Sequence, residues 1–169
     1  MMHKKINGGD LLFHAVHGLC RVDRVSEQDR AGKKGYSYSL VPKVTTRMKV
    51  RFVVADSDIE ASGFHKMLSP KEANRILDYL KAGDSSVSQT NQTWMLARNI
   101  LTFSEDRLKT RDQRKRQLLE SSVKGLVGEF ACVFKLSLKE TAALIEKKLA
   151  KATRNDPIVL AAFGRAAED

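Results

Sequence analysis

Apolar and polar residues alternate in several short runs within the first third of the chain. The alternation is clearest in Leu19–Val25 and Tyr36–Val41, and the runs Leu11–Phe13 and Met48–Val54 complete the set. A period of two is typical of β-strands that bury one face and expose the other. Glycines in residues 29–35 favour a hairpin loop there. The pattern predicts a small, strongly bent antiparallel sheet or barrel.

Helical spacing replaces this alternation after residue 68. Ser69, Pro70 and Glu72 form an N-terminal capping signature, and Gly83 is a typical residue just beyond a helix end. Residues 84–92 are polar and predict a linker. Further helices are predicted through Trp94–Phe103 and Leu118–Phe130, from the capping box at Ser137 to Leu149, and after Asn155-Asp156-Pro157.

Basic residues outnumber acidic ones, with Lys+Arg 30 against Asp+Glu 20 and a formal net charge of +10. This excess favours a polyanionic partner, because neutralising phosphates releases counterions, although basic surfaces also bind acidic proteins. The cysteines, Cys20 and Cys132, lie far apart in the chain, which favours a reducing, cytoplasmic location. The sequence predicts neither a signal peptide nor a membrane span.

Chemistry-bearing patterns do not favour an enzyme. The segment Gly32–Gly35 is too short for a phosphate-binding loop and lacks the helix start that such a loop requires. His14, His17 and Cys20 have the residue types of a metal site, but strand alternation would point them in different directions. We therefore expect no catalytic residue, metal, cofactor or small-molecule substrate.

Several motifs occur in the order found in one protein family. Gly9-Asp10 precedes a β run, His17-Gly18 forms a turn, and Gly32 matches a hairpin glycine. Met48–Val53 matches the family's last barrel strand, and Leu126–Ala131 matches a C-terminal helix. In these features the chain resembles the CarD/CdnL family of bacterial RNA polymerase-binding transcription regulators, whose barrel module is shared with transcription-repair coupling factor.

The resemblance implies an α+β fold with a small N-terminal Tudor-like antiparallel β-barrel in residues 1–68. A helix and polar linker would follow in residues 69–92, and a C-terminal all-helical, basic domain in residues 93–169. The implied function is non-enzymatic transcription regulation. The barrel would bind the RNA polymerase β subunit, and the helical domain would bind promoter DNA and stabilise the open promoter complex.

Three alternating cations are the candidate polymerase contacts. Arg47, Lys49 and Arg51 alternate with apolar residues, and Arg51 falls where some family members carry a polymerase-contacting arginine. Guanidinium groups on one strand face can pair with acidic residues of a partner. The alternative interpretation is a solvated strand face whose charges discourage aggregation.

The candidate DNA contacts are the only tryptophan and the basic residues that follow it. Trp94 would act as a wedge at an unpaired junction, or alternatively anchor the helical core. The cations would contact phosphates, or alternatively form a solvated helix face. They are Arg98, Arg107, Lys109, Arg111, Arg114, Lys115 and Arg116.

One departure from the family pattern keeps other functions open. Family members carry an arginine pair directly after the tryptophan, whereas Trp94 is followed by Met95-Leu96-Ala97. One alternative is therefore a polymerase-binding paralogue without DNA binding, acting as an adaptor or competitor. Another is an RNA- or ribosome-associated binding protein, and a phosphate-handling enzyme is a more distant one.

Overall fold

The computed structural model describes residues 5–30, 32–44, 50–84, 91–106 and 112–168. The chain divides into two compact units, Met1–Met67 and Leu68–Asp169. The first unit is built on strands and the second on helices. The mixed α+β composition, with an antiparallel sheet and helices, is as predicted.

The described part of the first unit forms one antiparallel sheet with the strand order β4-β3-β2-β1-β5. Strands β4 and β5 therefore lie at the two edges of the ladder. The strands are β1 (Leu11–His14), β2 (Gly18–Arg30), β3 (Lys33–Pro42), β4 (Phe52–Ala55) and β5 (His65–Lys66), with a short 3-10 helix at Asp56–Asp58.

The hairpin of β2 and β3 is longer than the sequence predicts. The expected loop from Asp29 to Gly35 is wrong, because Arg30 pairs with Lys33 in register and the strands continue almost to the turn. Gly32 has φ of +76°, a left-handed conformation that suits a tight hairpin turn. The last predicted strand is shorter than expected, since β4 begins at Phe52 and residues 45–49 lie outside the described chain.

A β-bulge interrupts the pairing of β2 with β3. Val22 lies opposite Leu40 and Arg24 lies opposite Ser39, so Asp23 is the extra residue on β2. A bulge bends its strand and re-aims the side chain of the inserted residue. The buried face of the sheet packs into a core of Leu12, Cys20, Val22, Tyr38, Leu40, Ile59 and Phe64.

The second unit is helical. Its helices are α1 (Pro70–Ala82), α2 (Gln92–Glu105), α3 (Gln113–Phe134), α4 (Leu138–Lys148), α5 (Lys151–Arg154) and α6 (Pro157–Glu168). The capping signals act as predicted: Ser69 forms a capping box with Glu72, and Gly83 has φ of +72° beyond the end of α1. The short α5 was not predicted, because its four residues carry no periodic pattern.

Helix α1, which the capping signals at residues 69–72 predicted, is part of the helical core. Ile76, Leu77 and Leu80 belong to the same buried cluster as Leu101 and Phe130. Its C-terminal end is also tied to the start of α5, since the Ala150 N–H donates to the Leu80 carbonyl at 2.9 Å. Among the described residues, the helices are too short or too polar to cross a membrane.

Candidate interaction surfaces

Strand β4 presents an apolar side chain at the edge of the sheet. Val53 is 67% exposed, and it lies opposite Ser39 of β3. Val50, just before the strand, is also exposed. Proteins usually protect edge strands with charges or prolines, because an edge is a template for pairing with another chain. Val50 and Val53 therefore leave a small exposed apolar area at this edge.

Arg51 lies beside this edge and makes an ion pair within the chain. Its Nη1 donates to Oδ2 of Asp23 at 2.8 Å and to Oγ of Ser39 at 2.9 Å. Arg21 approaches the other oxygen of the same carboxylate, with Nη2 at 4.0 Å from Oδ1. The Arg51 side chain nevertheless remains 53% exposed. Asp23 therefore lies between two arginines on the outer face of the sheet.

The outer face of the sheet near Arg51 carries one further described cation. Arg47 and Lys49 lie outside the described residues. Arg24 adds a further exposed cation to the same outer face, because it lies opposite Ser39, which in turn lies opposite Val53. Sequence alternation pointed to Arg51, but it missed Asp23 and Ser39, whose proximity to Arg51 depends on the register of β2, β3 and β4.

An aromatic cluster packs behind β4. The ring of His17 lies 4.4 Å from that of Phe52 and 4.5 Å from that of His14, and Phe64 lies 4.8 Å from His14. The β1–β2 turn is therefore in contact with the edge strand through His17 and Phe52. The sequence placed His17 in a turn and did not favour a metal site at these histidines, but it did not predict this packing.

His14 is held in one tautomer by backbone groups. Its Nδ1 accepts the N–H groups of Val16 and His17 at 3.0 and 3.1 Å, and Nε2 lies 3.1 Å from the Ser62 carbonyl. Only a neutral ring with the proton on Nε2 satisfies all three contacts. Burial lowers the pKa of His14, and the charge of neighbouring His17 lowers it further. The ring closes the β1–β2 turn in its uncharged form.

Cys20, which has a residue type suited to a metal site together with His14 and His17, points into the core. Cys20 is fully buried, and burial raises the pKa of its thiol. Within the described ranges, groups of three or more His, Cys, Asp or Glu side chains that could share a metal ion are absent.

Trp94 lies in the first turn of α2 and is half-buried. It packs against the helical core, and its ring lies 5.2 Å from that of Tyr79 at an angle of 58°. Asn91 caps the helix by accepting the Thr93 N–H at 2.9 Å. Arg98, one turn further along α2, is exposed. The tryptophan thus has one side on the core, and part of it remains accessible.

The basic run is only partly within the described chain. Arg107, Lys109 and Arg111 lie outside it. Arg114, Lys115 and Arg116 occupy the first turn of α3 and are exposed. Cations in the first turn of a helix interact unfavourably with the positive end of the helix macrodipole, so these side chains do not stabilise α3.

Within the described part of the chain, Lys115 differs from its two neighbours because it forms an ion pair. Its ammonium group donates to the carboxylate of Asp106, and this hydrogen bond raises the pKa of Lys115. Asp112 caps α3, with Oδ1 accepting the N–H groups of Arg114 and Lys115 at 2.9 and 3.2 Å. Arg114 and Arg116 are therefore better placed than Lys115 to contact a phosphate.

A second basic group lies where α1 ends and α5 begins, and sequence reasoning missed it. The hydrogen bond from Ala150 to Leu80 joins these ends. The exposed cations nearby are Lys81, Lys147, Lys151 and Arg154. Several lie in last helical turns, where cations also stabilise the macrodipole. The sequence shows that Lys147, Lys151 and Arg154 lie close together in the chain. Only the hydrogen bond between Ala150 and Leu80 shows that Lys81 lies near them.

A buried carboxylate connects α2, α3 and the segment that precedes α1. Glu129 and Thr93 are both fully buried, and the Thr93 hydroxyl donates to Oε2 at 2.6 Å. The other oxygen, Oε1, accepts the Leu68 N–H at 3.2 Å. Glu129 thereby fixes the residue next to Trp94. A glutamate inside the apolar stripe of α3 was the available sequence signal.

No protein-family model matches the sequence, and a search of curated proteins finds no matching relative.

Proposed function

We propose that the chain is a non-enzymatic transcription regulator that binds the RNA polymerase β subunit through its first unit. In this proposal the open-edged sheet is the core of a Tudor-like barrel. The observation that carries the proposal is the edge strand β4, where the 67% exposed Val53 lies beside Arg51. Together with the motif resemblance, this surface favours a protein partner over a small molecule.

The polymerase contact would combine strand pairing with charge. An added strand gains main-chain hydrogen bonds along an edge, while side-chain pockets and charges give specificity. Arg51 and Arg24 would pair with carboxylates of the partner, and bidentate pairing suits a guanidinium group. Val53 would be covered by the partner strand.

The helical unit would bind promoter DNA. Arg114 and Arg116 at the start of α3, with Arg98 on α2, would contact phosphates without reading sequence. The half-buried Trp94 would stack on an unpaired base through its accessible side. Tighter binding of the melted promoter than of the closed duplex would stabilise the open complex.

A second candidate function is favoured by two contacts within the helical unit. Trp94 packs against Tyr79, and Lys115 is paired with Asp106, so both side chains have roles inside the protein. In an adaptor or competitor that binds polymerase without contacting DNA, Trp94 and Lys115 would serve only these roles inside the protein. The candidates differ in whether the chain contacts promoter DNA and thereby lengthens the lifetime of the open complex.

The test is capture of bacterial RNA polymerase by the full chain and by Arg51→Glu. We expect Arg51→Glu to abolish capture while circular dichroism and the unfolding midpoint stay close to wild type. Arg75→Glu is the matched control, because Arg75 is an exposed cation on α1 of the other unit and should bind normally. Normal capture by Arg51→Glu would contradict the assignment.

Addition of promoter DNA separates the two candidate functions. A regulator that contacts DNA should lengthen the lifetime of the open complex, and Arg114→Gln with Arg116→Gln should reduce that effect. An adaptor would leave the lifetime unchanged in both proteins. Co-purification of ribosomal RNA in place of polymerase would instead favour a ribosome-associated binder.

A further inference from the structure

The carboxylate of Asp23 is bound to Nη1 of Arg51, one of the two nitrogens that an end-on bidentate carboxylate would use. Nη1 of Arg51 donates both to Asp23 and to Ser39, so two acceptors of the same chain hold this nitrogen. Arg51 lies next to the exposed edge strand, which makes this guanidinium group the obvious anchor for an acidic partner segment. A partner carboxylate that pairs end-on with Nη1 and Nη2 must therefore replace the Asp23 carboxylate.

Strand alternation and the register of β2 and β3 bring Asp23 to this place, and Asp23 also lies at the bulge of β2. Asp23 is the residue without an opposite partner in the β2–β3 register, between the pairs Val22–Leu40 and Arg24–Ser39. Because Asp23 follows Arg21 by two positions, both side chains lie on the outer face of the sheet. From there the Asp23 carboxylate reaches across β3 to Arg51, which precedes β4.

The ion pair between Arg51 and Asp23 can separate at a small cost in free energy. Both side chains are partly exposed, 53% for Arg51 and 34% for Asp23, and half-exposed ion pairs are weak. Arg21 lies 4.0 Å from the second oxygen of Asp23, so this carboxylate keeps a cation nearby when Arg51 leaves. Opening therefore does not isolate a charge.

We propose that Asp23 is an internal competitor that sets the specificity of the Arg51 site for partners with a carboxylate at the β4 edge. A partner segment without a suitably placed acidic residue would not displace Asp23 and would bind weakly. This inference rests on the proposed function for the identity of the partner, which is an acidic segment of a protein. The inference assigns a role in specificity to Asp23, which weakens the binding of partners at Arg51.

The test compares the affinities of the full chain and of Asp23→Asn for bacterial RNA polymerase. Asn keeps the size of the side chain but removes the charge that competes for Arg51. Because exposed ion pairs are weak, we expect Asp23→Asn to bind about two- to five-fold more tightly. Unchanged or weaker binding would overturn the proposal, since Asp23 would then be neutral or would orient Arg51 for the partner.

A matched variant separates competition from a general gain of positive charge. Glu27→Gln removes an exposed carboxylate from the same strand, away from Arg51, and should leave the affinity unchanged. The double variant Asp23→Asn/Arg51→Gln should bind like Arg51→Gln alone, because Asp23 acts only through Arg51. Equal tightening by Glu27→Gln, or tightening in the absence of Arg51, would also overturn the proposal.

A measurement without polymerase keeps the two proposals distinguishable. Side-chain NMR of Arg51 should show slow rotation of the guanidinium group in the wild type and faster rotation in Asp23→Asn. If the wild type fails to bind polymerase, the proposed function fails, while this measurement still decides whether Asp23 holds Arg51. Equal rotation rates in the two proteins would rule out the internal competitor.

Discussion

The imidazole of His14 lies directly against Gly63. A Cβ atom at position 63 would come within 2.7 Å of His14 Nε2, closer than van der Waals contact allows. Gly63 also has φ of +89°, a conformation that other residues rarely adopt. Since Nε2 contacts the neighbouring Ser62 carbonyl at 3.1 Å, the ring cannot move aside without losing that contact.

Gly63→Ala should therefore lower the free energy of unfolding of the first unit. Backbone strain and overpacking together predict a loss of about 2–4 kcal/mol, measured by urea denaturation. Gly9→Ala is the matched control, because Gly9 also has φ of +89° but no described atom lies within 4 Å of its Cβ position. The control should lose only about 1–2 kcal/mol. Equal losses would show that His14 does not restrict this position.

The tautomer of His14 predicts a dependence of stability on pH. Burial and neighbouring His17 lower the pKa of His14 in the folded protein. Between that lowered value and the ordinary value of about 6.5, the unfolded chain binds more protons than the folded one. The free energy of unfolding should thus be greatest above about pH 7 and should decrease as the pH falls through the histidine range.

His14→Phe tests this dependence, because phenylalanine keeps an aromatic ring but accepts no hydrogen bond from Val16 or His17. It should lower stability at neutral pH by about 1–3 kcal/mol, since two backbone N–H groups lose their acceptor. Its urea midpoint should also decrease less than that of the wild type between pH 7.5 and 5.5, about the range in which histidine titrates. Parallel decreases in both proteins would assign the pH dependence to other groups.

Removing the Glu129 carboxylate should destabilise the helical unit. Glu129→Ala would leave the buried Leu68 N–H and Thr93 hydroxyl without these acceptors, at a cost of about 2–5 kcal/mol. Thr93→Val should cost less, about 1–2 kcal/mol, because only one hydrogen bond is lost. Urea unfolding followed by Trp94 fluorescence reports both the stability and the surroundings of the neighbouring ring.

Glu120→Ala serves as the control for this prediction. Glu120 pairs with Arg165 at 2.7 Å, but both side chains are about half exposed, and such pairs contribute about 0–1 kcal/mol. If Glu129→Ala were as mild as Glu120→Ala, the buried hydrogen bonds would contribute no more than a surface pair.

Local signals explain why the helices were easier to predict than the site. Ser69 and Ser137 begin helices through capping boxes that involve residues three positions away, so the sequence carries the information directly. The pair between Arg51 and Asp23 instead depends on the register of three strands, which no local pattern marks. Burial of Glu129 likewise depends on its distant partners Leu68 and Thr93.

The first turn of α3 provides a graded test of DNA binding within the proposed function. Arg114→Gln and Arg116→Gln should each weaken binding to promoter DNA and reduce the slope of log affinity against log salt by about one unit, because each would lose a phosphate contact. Lys115→Gln should change the slope less, since Lys115 is paired with Asp106. Fluorescence anisotropy with a labelled promoter fragment at several salt concentrations measures these slopes.

Arg75→Gln is the control for this prediction. Arg75 is an exposed cation on α1, and its removal should leave the slope unchanged. If Lys115→Gln were equal in effect to the two arginine variants, the ion pair with Asp106 would not withhold Lys115 from DNA, and only the total charge of this turn would matter.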